Sequence, residues 1–496
     1  MSSTFIALPV TGESFLLETD QGRRRWAILV DGGQNATHRT KGHPLPKAVG
    51  SVAPHLRQID IAICTHNDAD HSGGFPSFLD EWLRAGGRIA EVWLPWRWSA
   101  ALPTVLTDPD GFMGLLAAGA RKATELIQER VGSPELATLD HRERTSRGSQ
   151  NIESLIREAG RNSLRDYERG KPVPAHKPLE VFAKNARSGN VARALGLAPT
   201  EAAGVLQLLE ETDAASIPLV ERVSTSWITW KTESSAVESR TRSLLRSTTE
   251  TAEKIRQIAE TALRHDILVR WFDFDQFERG APASGGEPGF LVPLSAVEME
   301  APKPELDGVR LFFSLRLTEQ NVESLVFQRL ESESEPGVIF LGDSRLAFGI
   351  DKPVGDFPKP PALPRKRAII TAAHHGSRVN DRAYTVLDQW LGNPLSDQCL
   401  FIRNGGMWKQ TLGQYLSKSN RRCAQCRQCF KDGLQQNVVV IAKKGNWLWP
   451  PKARSCGTPE GNAPTISMVT QLNSASPTPS LTLARLIGWR RKQPGR

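Results

Sequence analysis

Short apolar runs parted by turn formers dominate the start of the chain. Phe5–Pro9, Ser14–Thr19 and Trp26–Asp31 alternate with Thr11-Gly12 and Asp20-Gln21-Gly22, which predicts a β-meander. Ile59–Thr65 is apolar except for Asp60, the pattern of a strand covered on both faces. A helix is expected over Gly73–Trp82 and another strand over Ile89–Pro95. From about Met113 to His265 the period changes. Apolar residues recur at helical spacing in Gly114–Val131, Ile152–Ala159, Ala192–Leu209 and Ala252–Leu263. Arg142–Gln150 and Ser224–Ser247 are rich in Ser, Thr and Arg and read as exposed loops. Strand patterns return at Ile267–Phe274, Phe290–Leu294, Val309–Leu315, Ser324–Leu330, Val338–Leu341, Ala368–Ala373, Leu400–Arg403 and Val438–Ala442.

These elements predict an α/β domain in two parts, 1–112 and 266–450, interrupted by a helical insertion, 113–265. A basic, Ser/Pro/Thr-rich tail, 451–496, is expected to have little order. A chain of 496 residues suits such a divided domain, and 39% hydrophobic against 24% charged residues is enough for a core. No apolar run approaches the ~18–20 residues of a membrane span. MSSTFIALPV has neither the basic nor the apolar stretch of a signal peptide, and six cysteines make no disulfide framework. A cytoplasmic protein is expected; a fibre, a channel and a small secreted scaffold are excluded.

The chemistry concentrates at strand ends. Ile59–Thr65 leads into His66-Asn67-Asp68-Ala69-Asp70-His71-Ser72-Gly73-Gly74, four metal-capable side chains in six residues. Carboxylates and imidazoles together suit Zn²⁺, Mn²⁺ or Fe, as one or two ions. Val338–Leu341 runs into Gly342-Asp343-Ser344, and Ala368–Ala373 into His374-His375-Gly376-Ser377. Each segment alone is a weak signal. Three strand ends meeting at one sheet edge make a metal site the economical reading.

These motifs resemble the metallo-β-lactamase fold superfamily, with its αββα sandwich. Asp68 stands where the usual first motif has a second His. With Gly342-Asp343 and His374-His375-Gly376-Ser377, this departure is similar to the soluble hydrolase domain of ComEC-type DNA-uptake proteins. Gly12-Glu13-Ser14, Val30-Asp31-Gly32-Gly33 and Asn321-Val322-Glu323-Ser324 add to that likeness. The resemblance implies that His66 and Asp68 face one metal and Asp70 and His71 the other, with Asp343 bridging and His374 completing the second site. Asp31 would tie down the ligand loop, and His375 is the alternative ligand. It implies a metal-dependent phosphodiesterase, a nuclease with DNA favoured. A metal-held hydroxide would attack phosphorus, Asp70 would orient it or take its proton, Asp68 would assist, and Ser377 or the backbone N–H groups of Gly376-Ser377 would help stabilise the developing charge.

Charge bears on the partner. Lys and Arg number 63 against 54 Asp and Glu, and the excess is clustered. Residues 403–431 hold seven basic residues and no acid, and clustered cations attract polyanions. Arg378, Lys409, Arg421 and Arg422 are the candidate nucleic-acid contacts. Within Trp93–Trp98, core packing is the main expectation and base stacking beside Arg97 the minor one. Cys423, Cys426 and Cys429 read equally as a structural zinc site or as surface thiols. The insertion would be a lid, an autoinhibitory element or a docking module for a regulatory protein, as in an effector of bacterial antiviral defence. The alternatives are a small-molecule metallohydrolase acting on a cyclic nucleotide, lactone or thioester, and a non-catalytic nucleic-acid-binding module.

Overall fold

The computed structural model describes residues 3–22, 24–35, 44–131, 191–211, 219, 236–300, 307–317, 323–332, 335–348, 357–365, 367–406, 410–424, 438–443 and 446–448. It is a mixed α/β structure with two mixed sheets. The strands of the larger sheet are β1 (Thr4–Ala7), β2 (Phe15–Gln21), β3 (Arg24–Val30), β4 (Gln58–Ile63), β5 (Arg88–Pro95), β6 (Leu268–Asp273), β8 (Val297–Met299), β14 (Val438–Lys443) and β15 (Asn446–Leu448). Their order is β15-β14-β1-β2-β3-β4-β5-β6-β8. The smaller sheet runs β13-β12-β11-β10-β9-β7. Its strands are β7 (Leu291–Pro293), β9 (Phe327–Arg329), β10 (Val338–Phe340), β11 (Ile369–Thr371), β12 (Leu400–Asn404) and β13 (Arg421–Ala424).

Alternation along the strands builds three cores. In β1, Phe5 and Ala7 face the smaller sheet while Ile6 faces the helices; in β3, Ile28 and Val30 part from Ala27 and Leu29 in the same way. In β10, Val338 and Phe340 meet the larger sheet, and Ile339 turns to the outer core with Ile370 and Phe401. Burying both faces removes the polar alternation of a half-exposed strand, so these runs read as continuously apolar.

The helices are α1 (Leu45–Val52), α2 (Ala69–Ser72), α3 (Phe75–Arg84), α4 (Leu102–Thr107), α5 (Pro109–Val131), α6 (Val191–Ala194), α7 (Pro199–Glu211), α8 (Ala236–Arg264), α9 (Phe274–Glu278), α10 (Gly308–Leu317), α11 (Asp381–Leu391) and α12 (Asn393–Ser396). None of the described helices is long and apolar enough to cross a membrane. The described helices between β5 and β6 do not form a body apart: Leu116, Ala120, Val205, Ile255 and Ala259 share one core with α1 and α3. Yet β5 and β6 are adjacent parallel strands, Val92 facing Val269, so the chain between them is a crossover between neighbours.

Two expectations are corrected. Val309–Leu315 is not a strand but part of α10. Its apolar residues satisfy a helix as well as a strand, and its Gly308 packs on α5 where a Cβ on Gly119 would lie 1.8 Å from the Gly308 carbonyl oxygen. Ser224–Ser247 is not all loop: from Ala236 it is α8, a polar helix buried along one stripe through Leu245, Ala252, Ile255 and Ile258. Residues 224–235, Ile152–Ala159, Arg142–Gln150 and the tail 451–496 lie outside the described residues.

Phe340 stacks on Phe5 at 6.1 Å between ring centroids and lies beside Phe15 in the core between the sheets. Phe340→Ala is expected to lower the unfolding free energy by about 3–5 kcal/mol, measured by equilibrium urea unfolding. A shift below about 1 kcal/mol, inside the scatter of surface substitutions, would mean the two sheets do not share this core.

Candidate metal centre

The carboxyl ends of β3, β4, β10, β11 and β12 open onto one edge, where irregular backbone is free to turn side chains inward. Asp31 follows β3 in the left-handed region, φ +61°, and is fully buried. One carboxylate oxygen accepts the Thr65 N–H and the other the Thr65 hydroxyl, both at 2.8 Å. That second oxygen also meets His71 Nδ1 at 2.8 Å. The loop that follows β4 is thereby fixed at its start and at His71.

Each of the four histidines has Nδ1 committed and Nε2 turned to a carboxylate. His66 Nδ1 lies 2.9 Å from the Thr65 hydroxyl, and its Nε2 is 3.6 Å from Asp343 and 3.8 Å from Asp68. His71 Nε2 is 3.0 Å from Asp343 Oδ1. His374 Nδ1 meets Asn380 Oδ1 at 3.0 Å and its Nε2 is 3.6 Å from Asp343 Oδ2. His375 Nδ1 donates to the Asn404 carbonyl at 2.7 Å and its Nε2 meets Asp70 at 2.9 Å. His374, His375 and Gly376 all have positive φ, 47°, 51° and 78°, a strained turn that splays the two rings to different carboxylates. Gly342, φ +50°, is required where it stands, because a Cβ there would lie 2.5 Å from the Ser324 hydroxyl.

His66, His71, Asp343 and His374 thus come together as expected, with Asp68 at the fringe. Asp70 pairs with His375 rather than with Asp343. Glu13 was not anticipated. It is buried, with Oε2 3.4 Å from His375 Nδ1, and its N–H donates to the Asp70 carbonyl at 2.8 Å. The sequence signal was the acid itself, set between Gly12 and a strand that opens Phe15-Leu16-Leu17. A Cβ on Gly12 would fall 2.1 Å from the Asp70 carbonyl oxygen, so only glycine lets this turn dock on the ligand loop.

Other candidates are placed differently. The Ser377 N–H donates to the His374 carbonyl at 2.9 Å, so it is spent on the turn and cannot stabilise charge on a substrate. Arg378 is exposed beside that turn, and Arg421 is partly exposed. Arg422 is corrected: it is buried in β13, its guanidinium donating to the Arg421 carbonyl at 2.7 Å. Arg403 and Lys418 are buried too, Lys418 against Asp388, so the basic stretch is no continuous surface track. Cys423 is a core residue of β13, not a surface thiol. Lys409, Cys426 and Cys429 lie outside the described residues. Trp93 and Trp98 pack in the core, and Arg97 is held by Glu323 at 2.9 Å and by Asp275, away from any base-stacking role.

The charges compensate one another. Burial and the His71 charge oppose protonation of His66, but Asp343 and Asp68 outweigh them and raise it to about 9. His375 is raised to about 10: burial opposes this, and Asp70 and Glu13 prevail. His71 is raised well above the ordinary imidazole range against its burial, by Asp343 and Asp31. Asp343, although buried, is held well below the usual carboxylate range by His374, His71 and His66. Burial pushes Glu13 up, beyond what His375 takes back.

Apart from the ion-pair contacts above, buried His66 Nε2, His71 Nε2, Asp343 Oδ1 and Glu13 Oε2 make no hydrogen bond among the described residues. Buried polar atoms are rarely left so. Two sets, His66–His71–Asp343 and Glu13–His71–His375, each bring their ligand atoms within 4.8 Å of one another. Imidazole nitrogen with carboxylate oxygen is a donor set for Zn²⁺ or Mn²⁺, so the residues fit a divalent cation. Solvent reaches the cluster from one side: the side chains of Asp68, Asp70 and His374 are 32%, 39% and 23% exposed, while His66, His71 and Asp343 are sealed. No protein-family model, curated protein or solved structure matches the chain.

In chelator, the raised histidines stabilise the fold as imidazolium. That contribution is complete below about pH 6.5 and fades as pH rises through about 9 and 10, where His66 and His375 lose their protons. The melting temperature of the chelated protein is therefore expected to fall from pH 6.5 to pH 10. A profile flat over that range, read by circular dichroism, would contradict this arrangement of charge.

Proposed function

We propose that this chain is a metal-dependent phosphodiesterase of metallo-β-lactamase type, an αββα sandwich most similar to the nuclease domain of ComEC-type proteins. The observation that carries the proposal is the convergence of imidazole Nε2 atoms from two sheets on buried Asp343. Two sheets packed face to face with helices outside each support the sandwich. His66, Asp68, His71, Asp343 and His374 would hold the metal, with Asp70, His375 and Glu13 beside them. A bound Zn²⁺ or Mn²⁺ supplies positive charge and lowers the pKa of a coordinated water.

The chain's own residues divide the remaining work. Asp70 is exposed enough to meet a substrate and is held in place by His375, so its carboxylate can orient a water. His71, Asp343 and His66 are too deeply buried to touch more than the metal. Arg378 stands exposed beside the His374 turn and would meet substrate phosphate. DNA is the favoured substrate.

A cleft favours a second reading. It has a volume of about 750 Å³, lies between α3 and α8, and reaches Asp68. Its lining carries Arg84, Lys254 and Arg264 against Asp68, Asp80, Glu250 and Glu260, with no aromatic side chain. That size suits a small ligand and that charge balance does not suit a polyanion, which favours a small-molecule substrate.

The test incubates the protein with plasmid, single-stranded DNA, RNA, cyclic nucleotides and bis(p-nitrophenyl) phosphate, with Mn²⁺ or chelator. Metal-dependent cleavage is expected, falling to background in His66→Ala and Asp343→Ala while both remain folded. Undiminished cleavage by both variants would end the proposal.

A further inference from the structure

The ligand loop is held from behind by α8, although that helix lies 187 residues further along the chain. Lys254 Nζ donates to the Asn67 carbonyl at 3.0 Å and to the Ser72 hydroxyl at 2.8 Å. The Ser72 hydroxyl donates in turn to the Asn67 carbonyl at 2.8 Å, closing a ring of three groups. The Asn67 amide donates to the Thr251 hydroxyl, one turn earlier on α8. Asn67 directly follows His66, and Ser72 directly follows His71. The ring therefore joins the two ends of the segment that carries Asp68, Asp70 and His71. Between them α2 has only four residues, too few to hold its own shape.

We propose that Lys254, with Thr251, is a positioning residue for the metal-ligand loop, so that the long crossover between β5 and β6 is part of the metal centre. The proposal rests on the metal reading above. Neither residue touches a ligand atom. Both act through the backbone and side chain of Asn67 and the hydroxyl of Ser72, and such outer contacts typically change metal affinity 10–100-fold. Met at position 254 keeps the aliphatic stem and removes both donors, whereas Arg keeps the charge and the donors.

The experiment measures Zn²⁺ affinity of the full chain by competition with a chromophoric chelator, and records the absorption spectrum of the Co²⁺-loaded protein. Lys254→Met is expected to raise the dissociation constant about 10–100-fold and to shift the Co²⁺ spectrum, with Lys254→Arg closer to wild type. Thr251→Val should shift both readouts in the same direction, and it decides the matter if Lys254→Met does not fold. Arg246→Met, exposed on the same helix, should leave both unchanged. Wild-type affinity in Lys254→Met and Thr251→Val, alongside lost binding in His66→Ala, would overturn the positioning role alone. A wild-type protein that takes up no metal would bring down the metal reading and this role with it.

Discussion

One carboxylate organises the site. Asp343 is buried, and a buried charge is tolerated only when paired. Its partners are His66, His71 and His374, delivered by the ends of β4 and β11 and by α2. Neither sheet could supply this set alone: His66 and His71 follow a strand of the larger sheet, and Asp343 and His374 follow strands of the smaller one. The packing of the sheets and the chemistry at their edge are therefore a single constraint. A slip in the core around Phe340 would move Asp343 relative to His66.

Around this hub the backbone takes conformations that cost energy. Asp31, His374 and His375 lie in the left-handed region, where residues with a Cβ are uncommon. Each is over-determined by its contacts. Asp31 is fixed through Thr65 and His71, and the His374 turn through the Gly342 carbonyl and Asn380. Committing every Nδ1 to a partner leaves one tautomer and one ring direction per histidine, which is the preorganisation a metal or a proton requires.

The strand-end candidates were legible in the sequence because apolar runs that stop abruptly at His or Asp need no tertiary information. His66, His71, Asp343 and His374 stand out in this way, whereas Asp31 stands out only through the family resemblance. Glu13 does not, because an acid at a turn looks alike whether it faces water or His375. Lys254 was hidden for a different reason: its surroundings form a polar helix whose buried stripe is narrow. The Val309–Leu315 stretch misled because apolar residues at nearly every position fit either period, and only the Gly119–Gly308 approach selects the helix. Arg422 shows that a basic cluster in sequence is not a basic surface, since alternate residues of β13 point inward.

Order of synthesis adds a consequence. Strand β1 lies between β2 and β14, with Phe5 facing Val440, so one neighbour of β1 is synthesised long after it. Until then the β1 edge offers unpaired N–H and C=O groups to any other extended chain. Pairings so distant in sequence close slowly. Nascent molecules therefore pass through a stage in which crowding favours misassembly, and a chaperone that shields that edge would raise the yield of folded protein.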